Sequence, residues 1–189
     1  MMELVSEAIA FATRAHDGMR RKKSGTPYIL HPMEAAVIVG TMTDDPELIA
    51  AAVLHDVVED AGISIEEIED RFGARVRALV SSETEDKRAD RPPVDTWRIR
   101  KEESLEVLRR TEDIGVLIVW LGDKLANMRS FYRIRKLEGD AMWQSFNQKD
   151  VNEQAWYYRS IARYTERLSD TSAWIEYKTF TELVFGKGE

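Results

Sequence analysis

Between Pro46 and Gly62 the chain carries Ala50-Ala51-Ala52-Val53-Leu54-His55-Asp56-Val57-Val58-Glu59-Asp60, an apolar run that abruptly acquires four ionisable side chains. Read as one helix, the stretch sets His55 and Glu59 one turn apart, and Asp56 and Asp60 likewise. All four then share one face, within an arc of roughly 140°. Burying such groups beside Leu54, Val57 and Val58 is costly unless a cation or hydrogen-bond partners compensate. A divalent metal is the simplest compensation, because neutral imidazole and carboxylate both ligate it.

The rest of the chain reads as helices separated by glycine and proline. Leu4–His16 has helical apolar spacing. A basic loop, Arg20-Arg21-Lys22-Lys23, then leads to Ser24-Gly25-Thr26-Pro27-Tyr28. Pro32 opens a helix running to about Thr41, and Pro46 opens the next. Ser64-Ile65-Glu66-Glu67 is a capping-box pattern for a short helix ending at Gly73. Further helices are expected over Ala74–Glu83, Thr96–Arg110, Ile114–Leu137, Asn152–Leu168 and Ser172–Phe185, with a break at Asp90-Arg91-Pro92-Pro93. No β-hairpin signal or alternating strand stands out. The expectation is an all-α fold of about eight or nine helices in a single domain, residues 1–189, with C-terminal helices over about 140–186.

Composition bounds the function. The 189 residues are 43% hydrophobic and 32% charged, ordinary for a soluble globular chain. With no cysteine, thiolate nucleophiles, disulfides and zinc–sulfur sites are excluded, and a reducing cytoplasm is the expected compartment. The first residues show no signal peptide, and Ile114–Leu121 is too short to span a bilayer. A net charge of −7 argues against broad nucleic-acid binding. Four like charges at Arg20–Lys23 usually form a solvated loop; the sharper alternative is a phosphate-rich small ligand.

Only three histidines occur: His16, His31 and His55. His16 reads as a helix-end residue meeting terminal carbonyls. His31 begins one helix and His55 lies in the next. Asp123 arrives on a third apolar helix, in Ile118-Val119-Trp120-Leu121-Gly122-Asp123-Lys124-Leu125. Two imidazoles and two carboxylates from three separated elements would suit a borderline-to-hard divalent ion; the alternative for each is a hydrogen-bonded polar group in the core. The five tryptophans read as core anchors, and Trp156-Tyr157-Tyr158 as packing.

His31, then His55-Asp56, then Asp123 resembles the H…HD…D signature of the HD phosphohydrolase superfamily. Ser24-Gly25-Thr26-Pro27-Tyr28-Ile29-Leu30-His31-Pro32 and Leu54-His55-Asp56-Val57-Val58-Glu59-Asp60 resemble the G-x-P-Y-x-x-H-P and L-H-D-x-x-E-D segments of RelA/SpoT homologue hydrolase domains. Phe72-Gly73-Ala74-Arg75-Val76, Thr84-Glu85-Asp86-Lys87 and Gly122-Asp123-Lys124-Leu125-Ala126-Asn127-Met128-Arg129 match further pieces in the same order. Together they cover about residues 8–131. The length resembles the small stand-alone alarmone hydrolases of this group, including the metazoan SpoT homologues, so alarmone synthesis is not expected.

The resemblance implies metal-dependent removal of the 3′-pyrophosphate of guanosine tetra- or pentaphosphate. It implies His31, His55, Asp56 and Asp123 as ligands of one ion, in this family typically Mn²⁺, and Glu59 and Asp60 as the pair that handles the hydrolytic water. Asn127 matches a nucleoside contact, and Tyr28 and Ser130 match positions lining the pocket. Arg20, Arg21, Lys22, Lys23, Lys87 and Lys124 are available for phosphates. Where the long family members read Arg-Lys-Ser-Gly, this chain has Lys22-Lys23-Ser24-Gly25, so either Arg21 or Lys22 takes the place of the family arginine. The chain between Lys87 and Asp123, with Pro92-Pro93 and Trp97, is also wider than theirs. Two other readings remain open: an HD phosphohydrolase for another nucleotide or phosphorylated metabolite, and a non-enzymatic alarmone-binding module.

Overall fold

The computed structural model describes residues 2–22, 24–88 and 90–187. Among them lie ten α-helical segments: α1 (Met2–Ala15), α2 (Leu30–Val39), α3 (Pro46–Leu54), α4 (Val57–Ala61), α5 (Ile65–Phe72), α6 (Ala74–Glu83), α7 (Pro93–Arg110), α8 (Ile114–Glu138), α9 (Val151–Tyr164) and α10 (Ser172–Phe185). Short 3₁₀ turns at Gly139–Ser145 and Glu166–Leu168 join the last three. The all-α expectation holds, with nine helices if α3 and α4 are taken as one interrupted helix.

Local chemistry explains most boundaries. Asp45 accepts from the Glu47 N–H at 2.9 Å and Pro46 takes the first helical position of α3. Ser64 accepts from the Glu67 N–H at 3.2 Å and starts α5 as its capping pattern predicts. Gly62, at φ +72°, closes α4 in the left-handed conformation that lacks a Cβ penalty. Three boundaries differ from expectation. Helix α2 begins at Leu30, with Pro32 inside its first turn, and α7 begins at Pro93, where the missing N–H is harmless. The expected helix over Asn152–Leu168 stops at Tyr164; its carboxy end tightens into a 3₁₀ turn after Thr165.

The basic loop is better ordered than a solvated turn. Arg20 and Pro27 form an isolated antiparallel bridge, and Tyr28 N–H donates to Met19 O at 2.9 Å. Gly25, at φ +66°, turns the chain back, and Arg20 reaches its carbonyl at 2.7 Å. This short pairing is the one departure from a purely helical reading.

Helix α8 is the spine. Residues Val116–Leu121 are buried on every side, and α2, α3 and α10 pack against it. The approach of α2 depends on Gly122: a Cβ there would lie 2.6 Å from Val39 Cγ2 and 3.0 Å from the Ala35 carbonyl oxygen. Contact this close brings Asp123, the next residue, against His31 at the start of α2. Among the described residues no helix is long and apolar enough to cross a membrane.

Gly122→Ala tests this packing. Overpacking against a backbone carbonyl outweighs the helix propensity gained, so a net loss of about 1–2 kcal/mol is expected. Thermal denaturation checks it; an unchanged or higher Tm would mean the helices separate freely.

Candidate metal and phosphate site

The expected continuous helix through His55 breaks at His55–Asp56. In an unbroken helix the Ala52 carbonyl would accept the Asp56 N–H. Here it lies 2.7 Å from His55 Nδ1. A carbonyl can only accept, so Nδ1 carries the proton. Asp56 sits at φ −95°, ψ −6° and starts α4 instead of continuing α3. The shared helical face expected from spacing is therefore replaced by a kink, which still points the groups to one place.

That place is a buried cluster. His31 Nε2 is 3.0 Å from Asp123 Oδ1 and 3.6 Å from Asp56 Oδ2. His55 Nε2 is 3.2 Å from Asp56 Oδ2 and 3.5 Å from Asp123 Oδ1, yet it makes no well-aligned hydrogen bond. Donor atoms of His31, His55 and Asp123 lie within 4.8 Å of one another. With Nδ1 tied to a carbonyl, His55 presents its other nitrogen to the cluster, the usual support for a ligating imidazole. Two imidazoles and adjoining carboxylates fit a divalent cation.

Charge around the cluster is nearly balanced. Asp123 accepts from Asn127 Nδ2 at 2.7 Å and pairs closely with Lys124. Burial would raise the Asp123 pKa, but Lys124 and His55 hold it well below the ordinary range. Burial would lower that of His55, but Asp56 and Asp123 lift it well above the ordinary imidazole value. Glu83 is buried behind Lys124, at 3.5 Å, with Oε1 unbonded. Burial, reinforced by Asp123, pushes its pKa up to about 7.

Glu59 and Asp60 stand differently beside this cluster. The Tyr28 hydroxyl lies 2.8 Å from Asp56 Oδ2 and 2.5 Å from Asp60 Oδ2, one proton serving both carboxylates. Lys87 donates to Asp60 Oδ1 at 2.6 Å and to the Glu59 carbonyl at 2.7 Å. The Glu59 carboxylate has weaker support, a 3.4 Å contact from the Glu85 N–H and a looser ion pair with Lys87 at 3.7 Å. Burial and the nearby Glu85 and Asp56 raise its pKa above the ordinary value. His16 does not meet terminal carbonyls; it is buried with both ring nitrogens unbonded, against the Tyr28 ring at 4.9 Å. Burial lowers its pKa, so a neutral ring supports Tyr28.

A cavity of about 540 Å³ opens next to the cluster, with Trp97, Phe131, Phe146, Tyr157 and Tyr158 among its walls. Tyr157 and Tyr158 thus pack and line a cavity at once. Arg20, Lys22, Ser24 and Ser130 also border it. Arg21, Tyr28, Asp60, Lys101 and Asn127 border both this cavity and the space over the cluster. Arg21 donates to Asn127 Oδ1 at 3.0 Å and lies over the Tyr28 ring, 5.4 Å from its centre. Lys22 has no such anchor. Lys23 lies outside the described residues. Lys87 and Lys124, expected to meet phosphates, form ion pairs with Asp60 and Asp123.

Sequence reasoning missed Glu83, Glu85, Arg100 and Lys101, which also border the cluster. Glu85 accepts from Arg100 at 2.7 Å, Lys101 at 2.6 Å and Ser104 at 2.9 Å, so α7 is tied to the site. The spacing of Arg100 and Lys101 carries no signal, since only the packing of α7 brings them in.

The all-helical scaffold with a buried His-Asp cluster defines the class. The model described as "HD domain" matches residues 8–147, and the chain belongs to that family. His55-Asp56 is the pair the name describes. Among curated relatives, the guanosine-3′,5′-bis(diphosphate) 3′-pyrophosphohydrolase of Aquifex aeolicus (strain VF5) is 34% identical over 134 residues, covering 71% of this chain and 18% of the relative. GTP pyrophosphokinase rsh of Brucella ovis is 36% identical over 136 residues, covering 70% and 18%. The chain therefore spans under a fifth of the length of these relatives. A solved protein of Listeria monocytogenes EGD-e superposes with a TM-score of 0.72 at 28% identity, covering 83% of this chain and 99% of that one. A metazoan ortholog of SpoT superposes at 0.73 with 24% identity, covering 94% and 93%, a likeness of fold.

Glu83 gives a pH test. A buried carboxyl with a raised pKa takes up a proton on folding between about pH 4.5 and 7. Its contribution to stability is therefore lost as pH rises through that window. In chelator-treated protein, Glu83→Gln is expected to gain about 1–3 kcal/mol over wild type between pH 5 and pH 8. Tm differences that stay constant with pH would contradict the burial argument.

Proposed function

We propose that this protein is a divalent-metal-dependent guanosine-3′,5′-bis(diphosphate) 3′-pyrophosphohydrolase, using Mn²⁺. The observation that carries the reading is the buried His31–His55–Asp123 cluster, with Asp56 beside it, opening onto an aromatic cavity flanked by Arg20, Arg21 and Lys22. The names of the curated relatives support the substrate class.

His31, His55, Asp56 and Asp123 would hold the ion. When bound, it would neutralise phosphate charge and lower the pKa of water. The reaction joins a water oxygen to the phosphorus on the ribose 3′ oxygen and breaks the bond between those two atoms. Pyrophosphate leaves, and the 3′ oxygen gains a proton. Glu59 takes the proton of the attacking water: burial raises its pKa, and few hydrogen bonds hold its carboxylate. Asp60, between Tyr28 and Lys87, orients the water and holds α4 in place. Arg21, fixed by Asn127 and Tyr28, meets the phosphates where cavity and cluster join, and takes the family arginine's place. Asn127 spends both ends of its amide on Asp123 and Arg21, which makes it a positioning residue.

The test is hydrolysis of guanosine tetraphosphate by purified protein with Mn²⁺ and after chelation, read as GDP and pyrophosphate. Activity should vanish on chelation and return with Mn²⁺. Faster turnover of another phosphorylated nucleotide in a panel would move the substrate. Binding without turnover would leave a ligand-binding module.

Two variants separate holding the ion from using it. Asp56→Ala is expected to lose metal and activity together. Glu59→Gln should keep its metal by elemental analysis while kcat falls by about 10²–10⁴. Wild-type turnover in Glu59→Gln would remove it from proton transfer.

The basic loop yields a further expectation. Arg21→Ala should raise KM about 10- to 100-fold, the loss of a charged hydrogen bond. Lys22→Ala should change it much less. The reverse order in steady-state kinetics would assign the phosphate contact to Lys22.

A further inference from the structure

Gln154 lies on α9 with 5% of its surface exposed, and it borders the aromatic cavity with Arg21 and Asn127. Its Nε2 donates to the Gln148 main-chain oxygen at 3.0 Å. Because that oxygen can only accept, the bond settles which end of the amide is nitrogen. Gln148 is itself held: its side-chain oxygen accepts from the Asp150 N–H at 2.9 Å, and Asp150 caps α9 through the Asn152 N–H at 2.8 Å. The orientation of the Gln154 amide is therefore imposed by a capped turn.

The other end of the amide, Oε1, has no hydrogen-bond partner among the described residues, although the residue is nine-tenths buried. It is also not sealed inside the protein. An acceptor oxygen fixed in direction and open to its surroundings is available to a donor on a bound ligand. Flat aromatic walls around it suit a ring system. An N–H on the edge of a planar heterocycle is a donor that fits both the oxygen and the walls.

We propose that Gln154 is the residue that selects the base. Held as an acceptor only, Oε1 takes a hydrogen bond from the N1–H and N2–H edge of guanine. Adenine has a lone pair at N1 and no amino group at C2, so it places an acceptor and a C–H opposite the same oxygen. This rests on the proposed reading that the substrate is a guanosine polyphosphate. It assigns base choice to α9, outside the segments that carry the HD motifs.

The test compares kcat/KM for guanosine, inosine and adenosine 3′,5′-bis(diphosphates) with Mn²⁺. Wild-type protein should rank them in that order, because inosine keeps N1–H and lacks the 2-amino group. In Gln154→Met, which keeps length and removes both polar ends, the guanosine-to-adenosine ratio should fall about 10- to 100-fold, as for a site left without its hydrogen bond. The loss should lie chiefly in a higher KM for the guanosine substrate. Wild-type protein that cleaves all three equally would overturn the assignment while leaving the hydrolase reading intact, and that measurement needs no variant. An unchanged ratio in folded Gln154→Met would do the same. Wild-type protein that cleaves none of them would overturn both.

Discussion

His55 donates its Nδ1 proton to the carbonyl of Ala52, and the site depends on where that one hydrogen bond goes. It takes the acceptor that the Asp56 N–H would use in a continuous helix. The chain therefore kinks between α3 and α4, and Asp56, Glu59 and Asp60 leave the straight helical face. The same bond commits Nε2 of His55 to the cluster. A local competition between side chain and backbone thus shapes both the path of the chain and the tautomer of an imidazole.

The cluster also needs α2 and α8 close together. Gly122 allows the contact, and His31 and Asp123 meet because of it. Around them, Lys124, Asn127 and Tyr28 occupy the remaining lone pairs, which limits the cost of burying carboxylates. The one buried carboxylate without full support is Glu83, and its pKa is correspondingly high. The pair beyond the kink divides in the same manner: Asp60 is bound on both oxygens, whereas Glu59 is weakly held and its pKa is raised by burial. Environment, and not residue type, sets these adjacent acids apart.

Much of this was legible in the sequence because it is written locally. Glycine, proline and capping residues mark most helix boundaries, and the apolar spacing of Ile114–Leu121 announces the buried spine. Charged groups on apolar segments at His31, His55-Asp56 and Asp123 announced the cluster, and the ordered motifs around them announced the family. Several expectations failed where a nonlocal or competing bond decided the outcome. The kink at His55 needs a side chain to displace a backbone donor, which periodicity does not register. Lys87 and Lys124 read as free cations until the fold placed carboxylates within reach. His16 became a neutral support for Tyr28 because burial removed its partners.

By itself, then, the sequence determined an all-α chain, its punctuation, and the identity of the residues gathered at the buried His-Asp cluster. Those features follow from local propensity and from the cost of burying charge, both of which act through neighbours in the chain. Tertiary structure alone decided how α7 and α9 contribute. Glu85 draws Arg100 and Lys101 to the site, and α9 turns Gln154 and two tyrosines onto the cavity. Arg100, Lys101, Gln154 and the two tyrosines stand outside the motifs in sequence. Their significance depends on which oxygen or ring they face after the helices pack, and spacing along the chain contains no measure of that.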